Sequence, residues 1–166
     1  MSDQMPDWLP AIVSASGEWE QVLARLYSIF DRDFRQTGCR FENRPVWWDR
    51  RKLGGSSYEE GFWHLITKIN HKRNERLLDP RRAERLPWCK PTIVNSNAPE
   101  VRVWSYKEAK GKTRTYLWLV NWDYVVVLEK RQLKGSRNIA FLITAFYVGG
   151  ESTRRSLRRK YENRVR

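Results

Sequence analysis

Hydrophobic side chains near the start of the chain recur at helical spacing. Between Gly17 and Phe34 the apolar positions are Trp19, Val22, Leu23, Leu26, Ile29 and Phe30. Spacing of three or four residues places them on one side of a helix, so the segment predicts an amphipathic helix packed on a core. The preceding residues 1–16 lack this spacing and predict a loose arm.

A second helical segment follows a polar loop at residues 52–57. Ser57 and Glu60 have the spacing of a capping box, which marks the start of a helix. We expect this helix to run from Tyr58 to about Asn70. Because proline suits the first turn of a helix and interrupts later turns, a short third helix is expected between Pro80 and Pro87.

β-Branched and aromatic residues dominate the second half of the chain. They form four runs separated by turn residues: Val101–Tyr106, Thr113–Val120, Tyr124–Lys130 and Asn138–Val148. Such runs predict strands, and the short connections favour antiparallel pairing. A further short strand is expected at Pro45–Asp49. Helices followed by a β-meander predict one α+β domain over residues 17–150.

The net charge of the chain indicates which class of partner it binds. The 166 residues include 32 Lys or Arg against 19 Asp or Glu, a net charge of +13 and a pI of about 10.1. A strongly basic chain favours a nucleic-acid partner, with an anionic membrane surface as the competitor. No apolar run approaches the roughly 20 residues of a membrane span, and Cys39 and Cys89 form no CxxC pattern. We therefore expect a cytoplasmic protein with no membrane segment.

The C-terminal stretch, residues 151–166, carries seven Lys or Arg against two Glu. This composition predicts a basic helix or a solvated tail. The segment either binds RNA or is a solvated run of charge. Its candidate RNA contacts are Arg154, Arg155, Arg158 and Arg159.

Both histidines of the chain lie in one basic segment, Tyr58–Trp88. On a continuous helix His64, Lys68 and His71 would share one face. The opposite face would carry the apolar side chains Phe62, Ile66 and Ile69 and point to the core. Because histidine exchanges protons near neutral pH, this arrangement predicts acid–base chemistry on a polyanion; solvated surface side chains are the alternative.

Metal-free RNA cleavage needs a base for the ribose 2′-OH, a cation for the phosphorane and an acid for the leaving oxygen. Histidine, lysine and arginine supply these roles. The sequence has no HExxH, no CxxC pair and no carboxylate cluster, so we expect no metal and no cofactor. A two-ligand site from Glu60 and His64, one helical turn apart, is the lesser alternative.

Candidate phosphate-binding residues follow the second helix and recur in the last strand. The arginines are Arg73, Arg76, Arg81, Arg82 and Arg85. In the last strand, alternation places Thr144 and Phe146 on one sheet face, and Tyr147 on the other.

Five segments stand in a fixed order along the chain: WWDRR at 47–51, EEGFWHLIT at 59–67, RRAERLPW at 81–88, YLWLVNWDYVVVL at 116–128 and LITAFYV at 142–148. In this order they resemble the phage P1-related family of the barnase–EndoU–colicin–RelE (BECR) ribonuclease superfamily. The resemblance covers about residues 46–148. It implies N-terminal helices packed on a curved antiparallel β-sheet, with the active site on the concave face.

The resemblance also implies roles for single residues. His64 matches the helical histidine, and Thr144 matches the threonine of the last strand, with Tyr147 close behind. The basic residue that follows the helix corresponds to Arg73 or Arg76.

These observations predict a metal-independent endoribonuclease that cleaves RNA by 2′-OH transesterification. The resemblance implies a toxin or phage-defence effector, because the superfamily contains both. His64 would be the base or acid, Lys68 and an arginine such as Arg73 would stabilise the phosphorane, and Thr144 and Tyr147 would contact the phosphate. RNA is the expected substrate, and an antitoxin, either an acidic protein or an RNA, is a further partner. The alternatives are a non-catalytic RNA- or DNA-binding module and a structural subunit that binds an acidic protein.

Overall fold

The apolar patterns of the sequence form five α-helices and eight strands in residues 4–166, the part of the chain that the structure, a computed structural model, describes. The helices are α1 (Trp19–Phe30), α2 (Glu60–Ile66), α3 (Pro80–Glu84), α4 (Cys89–Val94) and α5 (Glu151–Glu162). The strands are β1 (Arg40–Phe41), β2 (Arg44–Trp47), β3 (Thr67–Asn70), β4 (Glu75–Leu78), β5 (Val101–Lys107), β6 (Thr113–Leu119), β7 (Tyr124–Leu133) and β8 (Arg137–Tyr147). A π-helical turn, Asp31–Gln36, extends α1.

Six strands form one curled sheet in the order β1-β2-β8-β7-β6-β5. The strands of the predicted meander, β5 to β8, pair antiparallel with their neighbours. By contrast, β2 runs parallel to β8, with Val46 opposite Ala140 and Trp47 opposite Phe141. The antiparallel sheet that the resemblance implies is therefore wrong at the pairing of β2 with β8. Parallel strands need a long connection, and the chain between β2 and β8 supplies one.

The helices before β5 pack on one face of the sheet, and α5 packs on the other. Phe30 and Phe62 from α1 and α2 are fully buried in the main core with Leu117 of β6. A second cluster joins Trp118 of β6 to Leu157 of α5. Full burial of such a side chain contributes about 1.5–3 kcal/mol, so both layers depend on apolar burial. The predicted α+β class is confirmed.

The second helix is shorter than the sequence predicts. It ends at Ile66, and the next twelve residues form the β3–β4 hairpin. Thr67 has extended backbone angles (φ −126°, ψ 160°), and its hydroxyl donates a hydrogen bond to the Trp63 carbonyl at 2.5 Å. β-Branched Thr67 and Ile69 favour a strand, and Asn74 takes the left-handed conformation (φ 52°) within the turn.

This hairpin removes the predicted helical stripe. His64 lies in the last turn of α2, Lys68 lies in β3, and His71 lies in the turn of the hairpin. Ile69, expected in the core, is 54% exposed. The three polar residues therefore come from three different local structures.

Both ends of the described chain pack against the domain. Residues 4–16 have no helix or strand, as expected of an arm, but Leu9 is buried and the Trp88 indole donates to the Pro10 carbonyl at 2.7 Å. This part of the predicted loose arm is therefore held in place. The C-terminal stretch forms a basic helix, α5, anchored by Leu157.

Pro80 begins α3 as predicted, with the Asp79 carboxylate accepting from the Arg82 amide. Pro87 lies inside a 3₁₀ turn, Leu86–Trp88, rather than after the helix. Within residues 4–166 no helix is long and apolar enough to span a membrane.

Candidate functional site

An open groove of about 460 Å³ lies beside the C-terminal end of α2, between the β3–β4 hairpin and β8. Its lining consists of His64, Thr67, Lys68, Ile69, His71, Arg76, Arg82, Ile143 and Thr144. We call it the histidine groove, because both histidines of the chain line it. The sequence candidates His64, Lys68, His71 and Thr144 thus meet in one place, although the helical face that predicted part of this grouping does not exist.

Main-chain hydrogen bonds fix the position of His64. Its carbonyl accepts from the Thr144 hydroxyl at 2.8 Å and from Arg82 Nη1 at 3.1 Å. Carbonyls in the last turn of a helix lack a partner within the helix, so these two donors satisfy a group that would otherwise be unpaired. The Thr144 hydrogen is used inside the protein, so Thr144 offers the groove only an acceptor oxygen, whereas the sequence suggested a donor to phosphate.

Arg82 connects three elements from a mostly buried position. Its Nη1 also donates to the Thr67 carbonyl at 2.5 Å, and its side chain is 16% exposed. Burial lowers the pKa of this guanidinium, while Asp79, with an oxygen 3.7 Å from Nε, raises it. Arg82 was a candidate RNA contact by sequence; the structure gives it the role of holding the end of α2 against α3 and β8.

An ion pair at the start of α2 orients a second arginine. Arg76 of β4 forms a bidentate pair with Glu60, at 2.8 and 3.0 Å, and lowers the pKa of that carboxyl. Ser57 and Glu60 therefore do not form the predicted capping box; Glu59 is the N-cap residue, without a side-chain cap. From the sequence, Glu60 was expected to cap the helix or to bind a metal, and its pairing with an arginine was not expected. The available signal that Glu60 lies near the site was its position one helical turn before His64.

Burial lowers the pKa of the His64 imidazole, and the charge of Arg76 lowers it further. The carboxylates of Glu60 and Asp49 act in the opposite direction but do not reverse the shift. The ordinary histidine value is about 6.5, so the imidazole is neutral at pH 7. A neutral, half-buried imidazole at the edge of a cationic groove is a proton acceptor.

Lys68 and His71 are exposed and line the groove from the β3–β4 hairpin. No ion pair within residues 4–166 engages Lys68, so its ammonium is available to an anion. Arg73 lies in the hairpin turn near His71 but is not part of the groove lining.

Tyr147 lies outside the histidine groove, in a cluster of its own. Its ring packs under Arg85 at 4.4 Å and Arg81 at 5.2 Å, and Arg85 also lies 5.2 Å from the Trp88 ring. Cation–π contacts of this kind hold flat guanidinium groups against aromatic faces. The structure thus brings three sequence candidates together, but not with His64.

The candidate arginines of α5 are divided between ion pairs and solvent. Arg154 contacts Asp123 at 2.6 Å and Glu151 at 3.1 Å, and Arg158 contacts Glu151 at 3.2 Å. Arg155 and Arg159 are exposed. None of the four lines the histidine groove.

The described part of the chain contains no cluster of metal-ligating side chains. Across residues 4–166, no group of three or more His, Cys, Asp or Glu side chains is arranged to hold a metal ion. The Glu60 carboxylate, one half of the predicted two-ligand alternative, is occupied by Arg76.

Comparisons with known proteins found no matching family model, no matching curated protein and no matching solved structure. The functional argument therefore depends on the groove and its surroundings. Fold alone would in any case not determine function, since one architecture supports many chemistries.

Proposed function

We propose that this protein is a metal-independent endoribonuclease of the BECR type that cleaves RNA by attack of the ribose 2′-OH. The observation that carries the proposal is that His64, from the end of α2, and His71, from the hairpin turn, line one groove together with Lys68 and Arg76. Two imidazoles and two cations are the groups that an acid–base cleavage of a phosphodiester requires.

In this mechanism neutral His64 accepts the proton of the 2′-OH, and the 2′ oxygen attacks the adjacent phosphorus. Lys68 and Arg76 stabilise the extra negative charge of the pentacoordinate phosphorane. The bond to the 5′ oxygen then breaks, and His71, acting as the general acid, donates a proton to that leaving oxygen. The products are a 2′,3′-cyclic phosphate and a 5′-hydroxyl.

Three features of the groove support this assignment of roles. The lowered pKa of His64 suits a base, because the imidazole is neutral before reaction. His71 is on the exposed hairpin turn, where it can reach a leaving group on the open side. Arg76 is held by the mostly buried Glu60, so its guanidinium is oriented before RNA binds.

The biological setting is part of the same proposal. A net charge of +13 favours an RNA substrate and makes an acidic protein a suitable inhibitor. Following what the resemblance to the BECR superfamily implies, we propose a cytoplasmic toxin or phage-defence effector, controlled by an antitoxin that is either an acidic protein or an RNA.

The experiment is cleavage of RNA by the purified chain in EDTA and, in parallel, in Mg²⁺. Equal rates and fragments ending in a 2′,3′-cyclic phosphate are expected. Loss of cleavage in EDTA with rescue by Zn²⁺ or Mn²⁺ would contradict metal independence. Tight RNA binding without cleavage in either buffer would identify a non-catalytic RNA-binding module instead.

A further inference from the structure

A second concave site, the aromatic cleft, lies on the sheet beside the histidine groove. Its volume is about 550 Å³, within the range of sites that hold small ligands. Its lining includes Trp47, Asp49, Arg50, Arg51, Arg131 and Phe141. None of them was a candidate site residue from the sequence, although residues 47–51 belong to a segment that carries the family resemblance.

Two half-exposed aromatic rings stand side by side in this cleft. Trp47 of β2 and Phe141 of β8 are register partners in the parallel pair, so both side chains project from the same face of the sheet. Arg131 lies 3.9 Å above the Phe141 ring, and Arg137 lies 5.7 Å from the Trp47 ring. Aromatic faces and guanidinium planes are the surfaces on which unpaired nucleobases stack.

The charge of the cleft fits a polyanion better than a basic or apolar peptide. Its single carboxylate, Asp49, is held by Arg51 at 2.6 Å, which lowers the pKa of that carboxyl. Glu129, beside the cleft, is likewise held by Arg131 at 2.7 Å. Arg50 remains exposed at the rim.

The cleft and the histidine groove are joined by short segments of chain. The Asp49 and Arg51 carbonyls accept from the Gly61 and Glu60 amides, both at 2.8 Å, so residues 49–51 lie across the start of the helix that carries His64. Asp49 and Arg51 are close enough to His64 to influence its pKa. Along β8, Phe141 of the cleft is two residues from Ile143 of the groove, a rise of about 7 Å.

We infer that the aromatic cleft is a nucleobase subsite that stacks an unpaired base of single-stranded RNA next to the phosphate held in the histidine groove. The inference rests on the proposed ribonuclease function, because the groove supplies the phosphate position. It adds a substrate class: the enzyme acts on unpaired RNA, since a base inside a duplex cannot reach the rings.

The test measures binding of a short fluorescein-labelled oligonucleotide with 2′-O-methyl riboses, which cannot undergo 2′-OH attack. A series carries one abasic position, moved along the strand. For the unchanged protein, one abasic position should weaken binding by about 5- to 100-fold, the effect of one stacked base. In Trp47→Leu and Phe141→Leu the same abasic position should weaken binding by less than about twofold.

Trp19→Leu is the matched control, because Trp19 is an exposed tryptophan of α1 outside the cleft. It should keep the full abasic effect. Thermal unfolding checks each variant, and Arg131→Gln replaces any leucine variant that fails to fold. If the abasic effect is absent in the unchanged protein, or is equal in the cleft variants and the control, the base subsite is wrong.

This result is separable from the proposed activity. If the protein shows the abasic effect but never cleaves ordinary RNA, the subsite is supported and the ribonuclease proposal is wrong. If the protein cleaves RNA without any abasic effect, the activity is supported and the subsite is wrong. Binding of a double-stranded oligonucleotide as tight as that of the single strand would also overturn the inference.

Discussion

The histidine groove and α5 are two basic regions that the sequence presents in nearly the same way, as runs of arginine. In the groove, Arg76 is paired with mostly buried Glu60 and Arg82 is bonded to main-chain carbonyls. In α5, Arg154 and Arg158 pair with the same surface carboxylate, Glu151. Only the groove also contains imidazoles.

The difference teaches that cation density does not distinguish a reaction site from a solvated surface. Surface ion pairs such as those of α5 contribute about 0–1 kcal/mol and reorganise easily. Arginines fixed by buried partners keep one orientation, which is what stabilisation of a transition state requires. The predictions below test this contrast, beginning with the largest expected effect.

His64→Gln should lower the RNA cleavage rate by about 10²–10⁴-fold, since it removes the general base. Glutamine keeps the backbone carbonyl that Thr144 and Arg82 bind, so the fold and the RNA affinity should be preserved. Single-turnover cleavage and fluorescence anisotropy measure the two quantities separately. His71→Gln should also slow cleavage, and the double variant should lose about as much as the more damaged single one, because both residues serve one reaction.

Lys107→Gln is the control for a general change of the surface, because Lys107 is exposed at the end of β5 and does not line the groove. Its cleavage rate should equal that of the unchanged protein. Full cleavage by folded His64→Gln would remove His64 from the mechanism. A fall in RNA affinity that matches the fall in rate would mean that His64 acts in RNA binding rather than in proton transfer.

Arg82→Met should lower the free energy of unfolding by about 2–3 kcal/mol, since it leaves the Thr67 carbonyl without its buried charged donor and weakens the bonding of the His64 carbonyl. Arg155→Met, a change of the same charge and size in α5, should stay within about 0.5 kcal/mol. Urea unfolding of both variants gives the comparison. Equal effects would mean that the two regions are held with similar strength, against the contrast drawn above.

The role of Arg82 also shows where sequence reasoning reaches its limit. The strands β5 to β8 were predicted because their β-branched and aromatic runs are local signals that tertiary contacts reinforce. The end of α2 was not predicted, because residues 58–70 contain apolar positions that fit a helix equally well. Bonds from Arg82, fifteen or more positions away, stabilise the early end at Ile66, and no local pattern encodes them.

The sequence predicted which residues form the candidate site better than it predicted how they are arranged. His64, Lys68, His71 and Thr144 were found from residue type and resemblance, and they do share a groove. The pairing of Glu60 with Arg76 was missed, because it joins α2 to β4, a strand that was not predicted from the sequence. The parallel pairing of β2 with β8, which builds the aromatic cleft, likewise has no local sequence signal.

Arg76→Gln should move the acidic limb of the pH–rate profile to higher pH. Arg76 lowers the pKa of His64, and without it the freed Glu60 carboxylate raises that pKa. A base is active only when deprotonated, so a higher pKa means that activity is lost at a higher pH as the solution is acidified. The rate at the plateau should also fall, because one phosphorane-stabilising cation is gone.

Arg73→Gln removes the same charge from the neighbouring hairpin turn and is the control for net charge. Its acidic limb should stay in place, because Arg73 does not line the groove. The profiles are best measured as kcat/KM, which reports the free enzyme. An unmoved limb in Arg76→Gln would show that His64 is not the group whose ionisation governs the rate.

The smallest expected effect concerns α5 itself. Replacing Arg155 and Arg159 with glutamine should flatten the dependence of log affinity on log salt by up to about 1.4, or about 0.7 for each phosphate of a single strand that the protein no longer neutralises. Replacing Arg154 and Arg158 removes the same charge, but those side chains are already paired with carboxylates, so the slope should change less. The cleavage rate of bound RNA should be unchanged in both double variants, because none of the four lines the groove. Equal slopes in the unchanged protein and both double variants would mean that α5 is a solvated face. A large fall in the cleavage rate of bound RNA would instead place α5 in the reaction site and remove the distinction between the two basic regions.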